Sequence, residues 1–327
     1  MFSFGKSKRV ANIVIDDYVI RMVENNGKDL SSIKIVAEEA LPSQVIEQGK
    51  IIDELAFYDF MKTFVQTWGI KRRRLRFYAP QALVIMREIE LPENIQPKEI
   101  KQYINMEIGH TIHFPFKNPV FDVYDVPEAE KIDKVTVLAA PEEELIKYTE
   151  IFADVNLHPT AVDIQPLGIY RYFFQQLENI NSEQISMIVE LHLTSMNISI
   201  FNDHKVEFIR YQPFNISLKE IKAIKENDSL DWTFTGDPTT LHTEINDQLN
   251  EIERLLNFYQ YSLHQGNKSV NHLILCGDYP NLAHIEEQLT SRYPALSIEQ
   301  LSVHSVDNDS LTAAFIPALG LALKGGV

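Results

Sequence analysis

A chain of 327 residues with 45% hydrophobic residues and mixed charge is globular and long enough for two domains, each with its own core. Its formal net charge of −16 repels nucleic acid and gives no support to a general role on anionic membranes. One cysteine, Cys276, excludes an internal disulfide, and no stretch approaches the ~20 apolar residues of a membrane span, so a reducing, cytoplasmic setting is expected.

Residues 1–9 are basic but lead into no long apolar run, unlike a secretory signal. Apolar runs over 10–15 and 18–23 flank Asp16-Asp17 and predict a strand, a tight turn and a second strand. A further strand is expected over 33–38. Asp53 stands where a helix N-cap belongs, with Leu55, Tyr58, Met61, Val65 and Trp68 following at spacings of three and four and Gly69 just beyond. That pattern predicts an amphipathic helix with both ends signalled. Residues 75–79 and 83–91 read as strands. Pro97 opens a helix with Ile100, Ile104 and Ile108 on one face. Strands over 120–126 and 135–140 precede Pro141 and three glutamates, whose charge suits a helix N-terminus. Residues 87–158 are therefore expected to form a subdomain inserted into a first lobe made of 1–86 and 159–180. A strand over 160–164 and a helix over 167–177 return the chain to that lobe.

The opening pattern then recurs. Residues 185–191 and 197–201 predict a second strand pair, with a third strand over 205–211, so a second lobe over 181–327 repeats the first in coarse outline. The polar stretch 222–238 reads as a loop or a small excursion. Beyond it Ile245, Leu249, Ile252, Leu256, Tyr259 and Leu263 mark the longest helical stripe. A buried strand over 273–276 ends at Gly277, and Leu282, Ile285 and Leu289 mark the next helix. The fold class is α/β with two related lobes.

Several local patterns have a structural and a functional reading. His110 and His113 with Glu107 fall short of a zinc set and read as surface or structural histidines. His272 and Cys276 read as core-strand residues. Lys71-Arg72-Arg73-Arg74-Leu75-Arg76 places five cations in an acidic chain, which fits a solvated loop, with anionic lipid or an acidic partner as the sharper alternative. The long helix near Ile252 fits packing inside the second lobe, and self-association through it is left open. No serine or cysteine stands in a nucleophile context.

Four segments carry a family resemblance. They are Phe114-Pro115-Phe116, Asp163-Ile164-Gln165-Pro166-Leu167, Glu251-Ile252-Glu253-Arg254-Leu255-Leu256-Asn257-Phe258-Tyr259 and Leu319-Gly320-Leu321-Ala322-Leu323-Lys324. In this order and spacing the chain resembles the type IV pilus assembly protein PilM family, with FtsA as a cousin. The resemblance implies a two-lobed actin-like, ribonuclease H-like fold. It also implies phosphate loops, and here the sequence departs from the family. Val14 stands at the Asp of the first loop and Asp16 at its Gly. Asp17 and Tyr18 fill the Ser positions, and Arg21 stands for the Lys. The second loop becomes Glu190-Leu191-His192, running on to Asn197. The adenosine-side loop keeps Gly277 but has Asp278 where a second Gly is usual.

Cradling a phosphate needs backbone N–H groups at close range, which glycine permits by accepting positive φ and presenting no side chain. No Gly lies between Asn12 and Asn26 or between Ile169 and Thr235. Asp16 and Asp17 would meet a polyphosphate with like charge, worth about 4 kcal/mol per pair at ~4 Å near a protein surface. Val14 cannot do the work of an Asp toward Mg²⁺. No ATPase activity, metal or nucleotide cofactor is therefore expected. The alternative is that Asp16, Asp17 or Glu190 holds Mg²⁺ in an altered way in an ATP-switched protein. An FtsA-like filament former is a further alternative, disfavoured because residues 318–327 lack a basic amphipathic tail.

The resemblance implies instead a cytoplasmic scaffold of pilus assembly, peripheral to the inner membrane through its partners. Those partners would be other assembly components and the cytoplasmic N-terminal segment of a single-span, PilN-like protein, held in a groove between the first lobe and the inserted subdomain. Leu83, Ile85, Ile89, Ile100, Tyr103 and Ile104 are the expected walls of that groove.

Overall fold

Two apolar strands joined by the Asp16-Asp17 turn begin the fold. β1 (Val10–Ile15) runs antiparallel to β2 (Val19–Asn25), with Ile15 opposite Ile20. Both strands are buried almost throughout, so apolar residues stand on both faces and buried polar ones, Asn12, Arg21, Glu24 and Asn25, interrupt them. The computed structural model describes residues 9–27, 29–93, 95–124, 132–177, 184–226, 229–303 and 311–325. The chain continues through β3 (Ile33–Ala40), the short pair β4 (Ile46–Glu47) and β5 (Lys50–Ile51), α1 (Glu54–Thr67) and β6 (Arg74–Tyr78).

The Asp53 carboxylate accepts a hydrogen bond from the Ala56 N–H, capping α1 as its position in sequence implied. The stripe sits differently from the expected one: Phe57, Met61, Phe64 and Val65 are buried, while Leu55 is 71% exposed. Leu55 lies in the first turn, before the helix meets the sheet, and the two phenylalanines supply the larger apolar area.

An inserted unit follows, formed by β7 (Ile85–Glu90), α2 (Pro97–Glu107), β8 (Pro119–Tyr124) and β9 (Lys134–Pro141). Its antiparallel sheet has the order β7-β9-β8. α2 covers one face through Ile100 and Ile104, which pack with Ile89, Val135 and Val137. The next helix, α3 (Glu142–Asp154), lies within the expected subdomain limits, but its Leu145, Tyr148, Ile151 and Phe152 belong to the first-lobe core. The inserted unit is thus residues 85–141, and the limits 87–158 took in a lobe helix. β10 (His158–Asp163) and α4 (Gln165–Gln176) complete the lobe.

The second lobe holds β11 (Ile185–Leu191), β12 (Ser195–Asn202), β13 (Lys205–Pro213), β14 (Ile221–Glu226) and β15 (Ser229–Phe234). It continues with α5 (Pro238–Asn257), β16 (His272–Gly277), α6 (Leu282–Arg292), β17 (Ser297–Gln300) and α7 (Ile316–Ala322). The two five-stranded sheets have orders β10-β6-β1-β2-β3 and β17-β16-β11-β12-β13 when read in the same sense. The two opening hairpins therefore occupy equivalent places, as the repeated pattern implied. The polar stretch at 222–238 is largely the β14–β15 hairpin, a two-stranded ribbon whose exposure hid its strands. After α5 the chain passes into a π-helical turn, Phe258–Leu263. The change of phase buries Tyr259 but leaves Leu263 44% exposed, so the apolar stripe ends one step early.

α4 and α7 lie between the sheets. One apolar cluster joins Val14, Val23 and Tyr78 of the first sheet, Ile188, Phe201 and Ile274 of the second, and Ile169, Tyr172 and Leu319 of the two helices. The helices cross at glycine. A Cβ on Gly320 would lie 2.0 Å from the Gly168 carbonyl oxygen, and one on Gly168 would lie 1.7 Å from Tyr78 Oη. Among the described residues, no helix is long and apolar enough to cross a membrane. Gly320→Ala should lower stability by about 1–3 kcal/mol through overpacking, read as a shifted midpoint in urea. Gly325→Ala, where an added Cβ meets nothing within 4 Å, is the neutral control.

Candidate functional site

The equivalence of the two hairpins brings their turns to one cleft between the lobes, joined there by the Gly277-Asp278 turn after β16. Substituted loop residues cross this cleft. Arg21, fully buried on β2, donates from Nε to Glu38 on β3 and from Nη2 to Asp278 Oδ2 at 2.7 Å. Tyr18 Oη donates to the Asp278 carboxylate at 2.6 Å. His192 sits with Nδ1 3.3 Å from Asp278 Oδ1 and Nε2 3.3 Å from Glu190 Oε1. Glu190 accepts from Gln165 Nε2 at 2.6 Å and Asn197 Nδ2 at 3.0 Å. Glu38 also accepts from the Leu230 N–H at 3.0 Å, and Trp232 meets the Tyr18 ring edge-on at 4.9 Å. The β14–β15 hairpin thus closes over Tyr18. First-lobe and second-lobe groups form one charged belt across the cleft.

The charges are set by this neighbourhood. Burial alone would raise Asp278, but Arg21 and hydrogen bonds from His192 and Tyr18 hold its carboxyl well below the usual range. Burial would lower His192, yet the carboxylates of Asp16 and Glu190 raise it well above the ordinary imidazole value. Glu190, which burial would raise, is lowered by His192 and its hydrogen bonds. Asp16 is the exception. Burial, with Asp278 and Glu190 nearby, pushes it from 3.8 to about 6 against the opposing pull of His192 and Arg21, the latter 3.8 Å away.

The remaining loop positions have other tasks. Val14 is buried in the cluster around α4 and α7, remote from any ligand role. Asp17 turns away from the belt and accepts the N–H groups of Gln48 at 2.7 Å and Gly49 at 3.0 Å. Gly277 has φ +110°, and a Cβ there would lie 2.0 Å from the Leu191 carbonyl oxygen, so it permits two turns to touch. Between Ile15, Asp16, Tyr78, Gln165 and Asn197 a cavity of about 40 Å³ remains.

The expected groove walls are placed differently. Ile89, Ile100 and Ile104 are buried in the inserted unit's own core, and Tyr103 packs against it, because α2 consumes that face of the sheet. Leu83 and Ile85 are half-buried beside it. The open groove, about 370 Å³, lies on the opposite face, between β8–β9 and the β10–α4 corner. Val84, Leu138 and Leu167 line it, as do Val120 and Val162, which are 45% and 39% exposed. Ion pairs stand at its ends: Lys101–Asp122 at 3.0 Å, and Lys324–Asp163 at 2.9 Å with Arg171 also 2.9 Å from Asp163. Val120 and Val162 carry no signal in the sequence, because strand content does not say which face of β8 or β10 is left open. His110 and His113 are exposed, while His272 Nδ1 lies 3.2 Å from Ser186 Oγ and its Nε2 pairs with Glu299.

Two α/β lobes of matching strand order, with both opening turns meeting at a shared cleft, define an actin-like fold. The model of the type IV pilus assembly protein PilM family matches residues 13–325, and the chain belongs to that family. Among solved structures, the PilM–PilN type IV pilus biogenesis complex is similar with a TM-score of 0.74, 18% identity, and coverage of 96% of this chain and 98% of that one. The ethanolamine utilization protein EutJ from Carboxydothermus hydrogenoformans is similar with a TM-score of 0.50 and 10% identity over 97% of this chain and 90% of that one. No curated relative matches the chain in sequence.

The Asp16 shift gives a signed pH test. A carboxyl whose folded pKa of about 6 exceeds 3.8 favours the folded state when protonated, an advantage present below pH 4 and lost as pH rises through 6. Asp16→Asn, always neutral, should stabilise the protein by ~1–3 kcal/mol at pH 7.5, with the gain vanishing near pH 4. Thermal melts across that range check it, and a destabilised variant at pH 7.5 would contradict the assignment.

Proposed function

We propose that the chain is a non-hydrolysing scaffold of type IV pilus assembly on the cytoplasmic side of the membrane. In this reading it captures the cytoplasmic N-terminal tail of a single-span, PilN-like protein in the groove between the inserted unit and the first lobe. The observation that carries the reading is the groove itself. β8 and β10 are edge strands of their sheets, and both line it. Each edge offers unpaired backbone groups to an extended peptide, and the exposed Val120 and Val162 offer anchors for alternate side chains. Ion pairs at each end leave the apolar stretch between them as the natural seat. The family membership and the likeness to a PilM–PilN complex support the choice of occupant.

The interlobe cleft supports the non-hydrolysing half. The space between the two turns, about 40 Å³, is far below the roughly 300–1,000 Å³ of small-molecule sites, and the wider spaces of about 270 and 350 Å³ nearby lie beside β4 and the β14–β15 hairpin. Arg21, Tyr18 and Asp278 stand across the space between the turns, and the turn glycine Gly277 is taken up against Leu191. These residues do not fit a nucleotide with its Mg²⁺.

Two measurements separate the halves. A ligand at a hundred times its Kd adds about 2.7 kcal/mol to stability, so millimolar Mg-ATP should leave the melt unchanged, and no phosphate should be released. Val120→Asp and Val162→Asp, at exposed positions, should leave the melt unchanged too. They should weaken binding of N-terminal peptides from single-span proteins encoded beside this gene at least tenfold, whereas Tyr103→Ala should not. Native affinity in both groove variants would move the tail site elsewhere.

A further inference from the structure

The parallel register of the first sheet gathers cations that the tail-binding reading does not use. Val10 is paired with Arg74, Arg74 with His158, Val10 with Asn25, and Asn25 with Ile33, so the starts of β1, β6 and β10 and the β2–β3 turn form one rim. Arg9, Lys34, Lys71, Arg72 and Arg74 are exposed on it. Arg9 and Arg73 share the buried carboxylate of Glu24, at 3.4 and 2.6 Å. Asp29 and Asp154 are the other acids on the adjoining segments, so six cations stand against three carboxylates. Among the described residues, Lys34, Lys71, Arg72 and Arg74 have no ion-pair partner. The loop that carries three of the cations is fixed by backbone hydrogen bonds, Arg72 N–H to the Asn156 carbonyl at 2.7 Å and His158 N–H to the Arg73 carbonyl at 2.9 Å.

We propose that this rim, Lys34, Lys71, Arg72 and Arg74 with Arg9 and Arg73 behind them, is a direct docking surface for anionic phospholipid headgroups. The chain's overall charge of −16 does not oppose this at contact range, because charges beyond about 10 Å are largely screened at 0.1 M salt. The cations come from separate strand starts and a loop set along one edge, which suits a plane of phosphates better than the concave seat a small ligand or peptide requires. β10 runs from the rim at His158 to the groove at Asp163, five residues or about 17 Å at ~3.3 Å each. A chain resting its rim on a bilayer would therefore hold its groove within reach of a tail leaving that bilayer. The inference does not depend on tail binding.

The test uses the full chain and vesicles without any partner protein. Flotation with vesicles containing about a third phosphatidylglycerol should retain the protein, and retention should fall steeply between 50 and 300 mM salt. Each basic residue near an anionic surface is worth roughly fivefold in partition, so Lys71→Glu/Arg72→Glu/Arg74→Glu should lose about a hundredfold. Glu24's two partners and Arg76, which donates to the Leu321 carbonyl, are left in place to preserve folding. Lys219→Glu/Lys222→Glu/Lys225→Glu, an equal change of net charge on the second lobe, should bind vesicles as the native chain does. Equal retention by phosphatidylcholine vesicles, native binding by the rim variant, or no vesicle binding at all would overturn the proposal. So would binding of polyuridylic acid in place of lipid, which would assign the rim to nucleic acid.

Discussion

A guanidinium taken out of water needs carboxylate partners, and Arg21 finds them on both lobes. Glu38 is its own-lobe partner and Asp278 the partner across the cleft, while Asp16 stands further off at 3.8 Å with its charge disfavoured by burial. Breaking a buried pair by removing one partner costs about 3–5 kcal/mol, whereas intact pairs of this kind add little net stability. The belt is better understood as a fastener than as a source of stability. Lobe opening would strand Asp278 away from Arg21 and Tyr18 together, and would leave His192 between two carboxylates newly exposed to water. These side chains tie the two lobes together with groups of the chain itself.

That constraint reaches the groove through α4 and α7. Asp163, at the groove's end, accepts from Arg171 on α4 and pairs with Lys324 just beyond α7. Arg171 and Arg76 also donate to carbonyls at the end of α7. α7 is wedged between the two sheets that the belt draws together. The position of one groove wall is therefore set by the same closed arrangement of lobes, so the proposed tail would meet a preformed seat whose ordering need not be repeated on binding.

Much of this architecture was legible in the residues. The hairpins at Asp16-Asp17 and after Leu191, the Asp53 cap and the α2 stripe follow from patterns confined to a few turns of chain. The misplacements share one cause. Leu55 and Leu263 satisfied a helical period, but the sheet meets α1 only from Phe57 and a π turn rotates the end of α5, and neither event is written in periodicity. The β14–β15 ribbon buries too little to show strand alternation. The departures from the phosphate loops were visible one by one. That Arg21, Tyr18 and Asp278 answer one another could not be seen, because the pairing joins residues from opposite ends of the chain. Ile100 and Ile104 were rightly placed on one helix face, yet that face was already spent on the sheet beneath it, which leaves the other side of the sheet for a partner.

The seat of α7 also bears on how the polypeptide is made. Its Leu319 and neighbours fill the space against β1 and β2, although α7 comes after all the other described elements and so emerges from the ribosome long after those two strands. Until those residues emerge, both sheets carry an uncovered apolar face, and the cross-lobe pairs have no fixed spacing to form on. Contacts of such long sequence separation delay folding and lengthen the life of sticky intermediates. Nascent chains of this protein should therefore depend on chaperones until α7 has emerged.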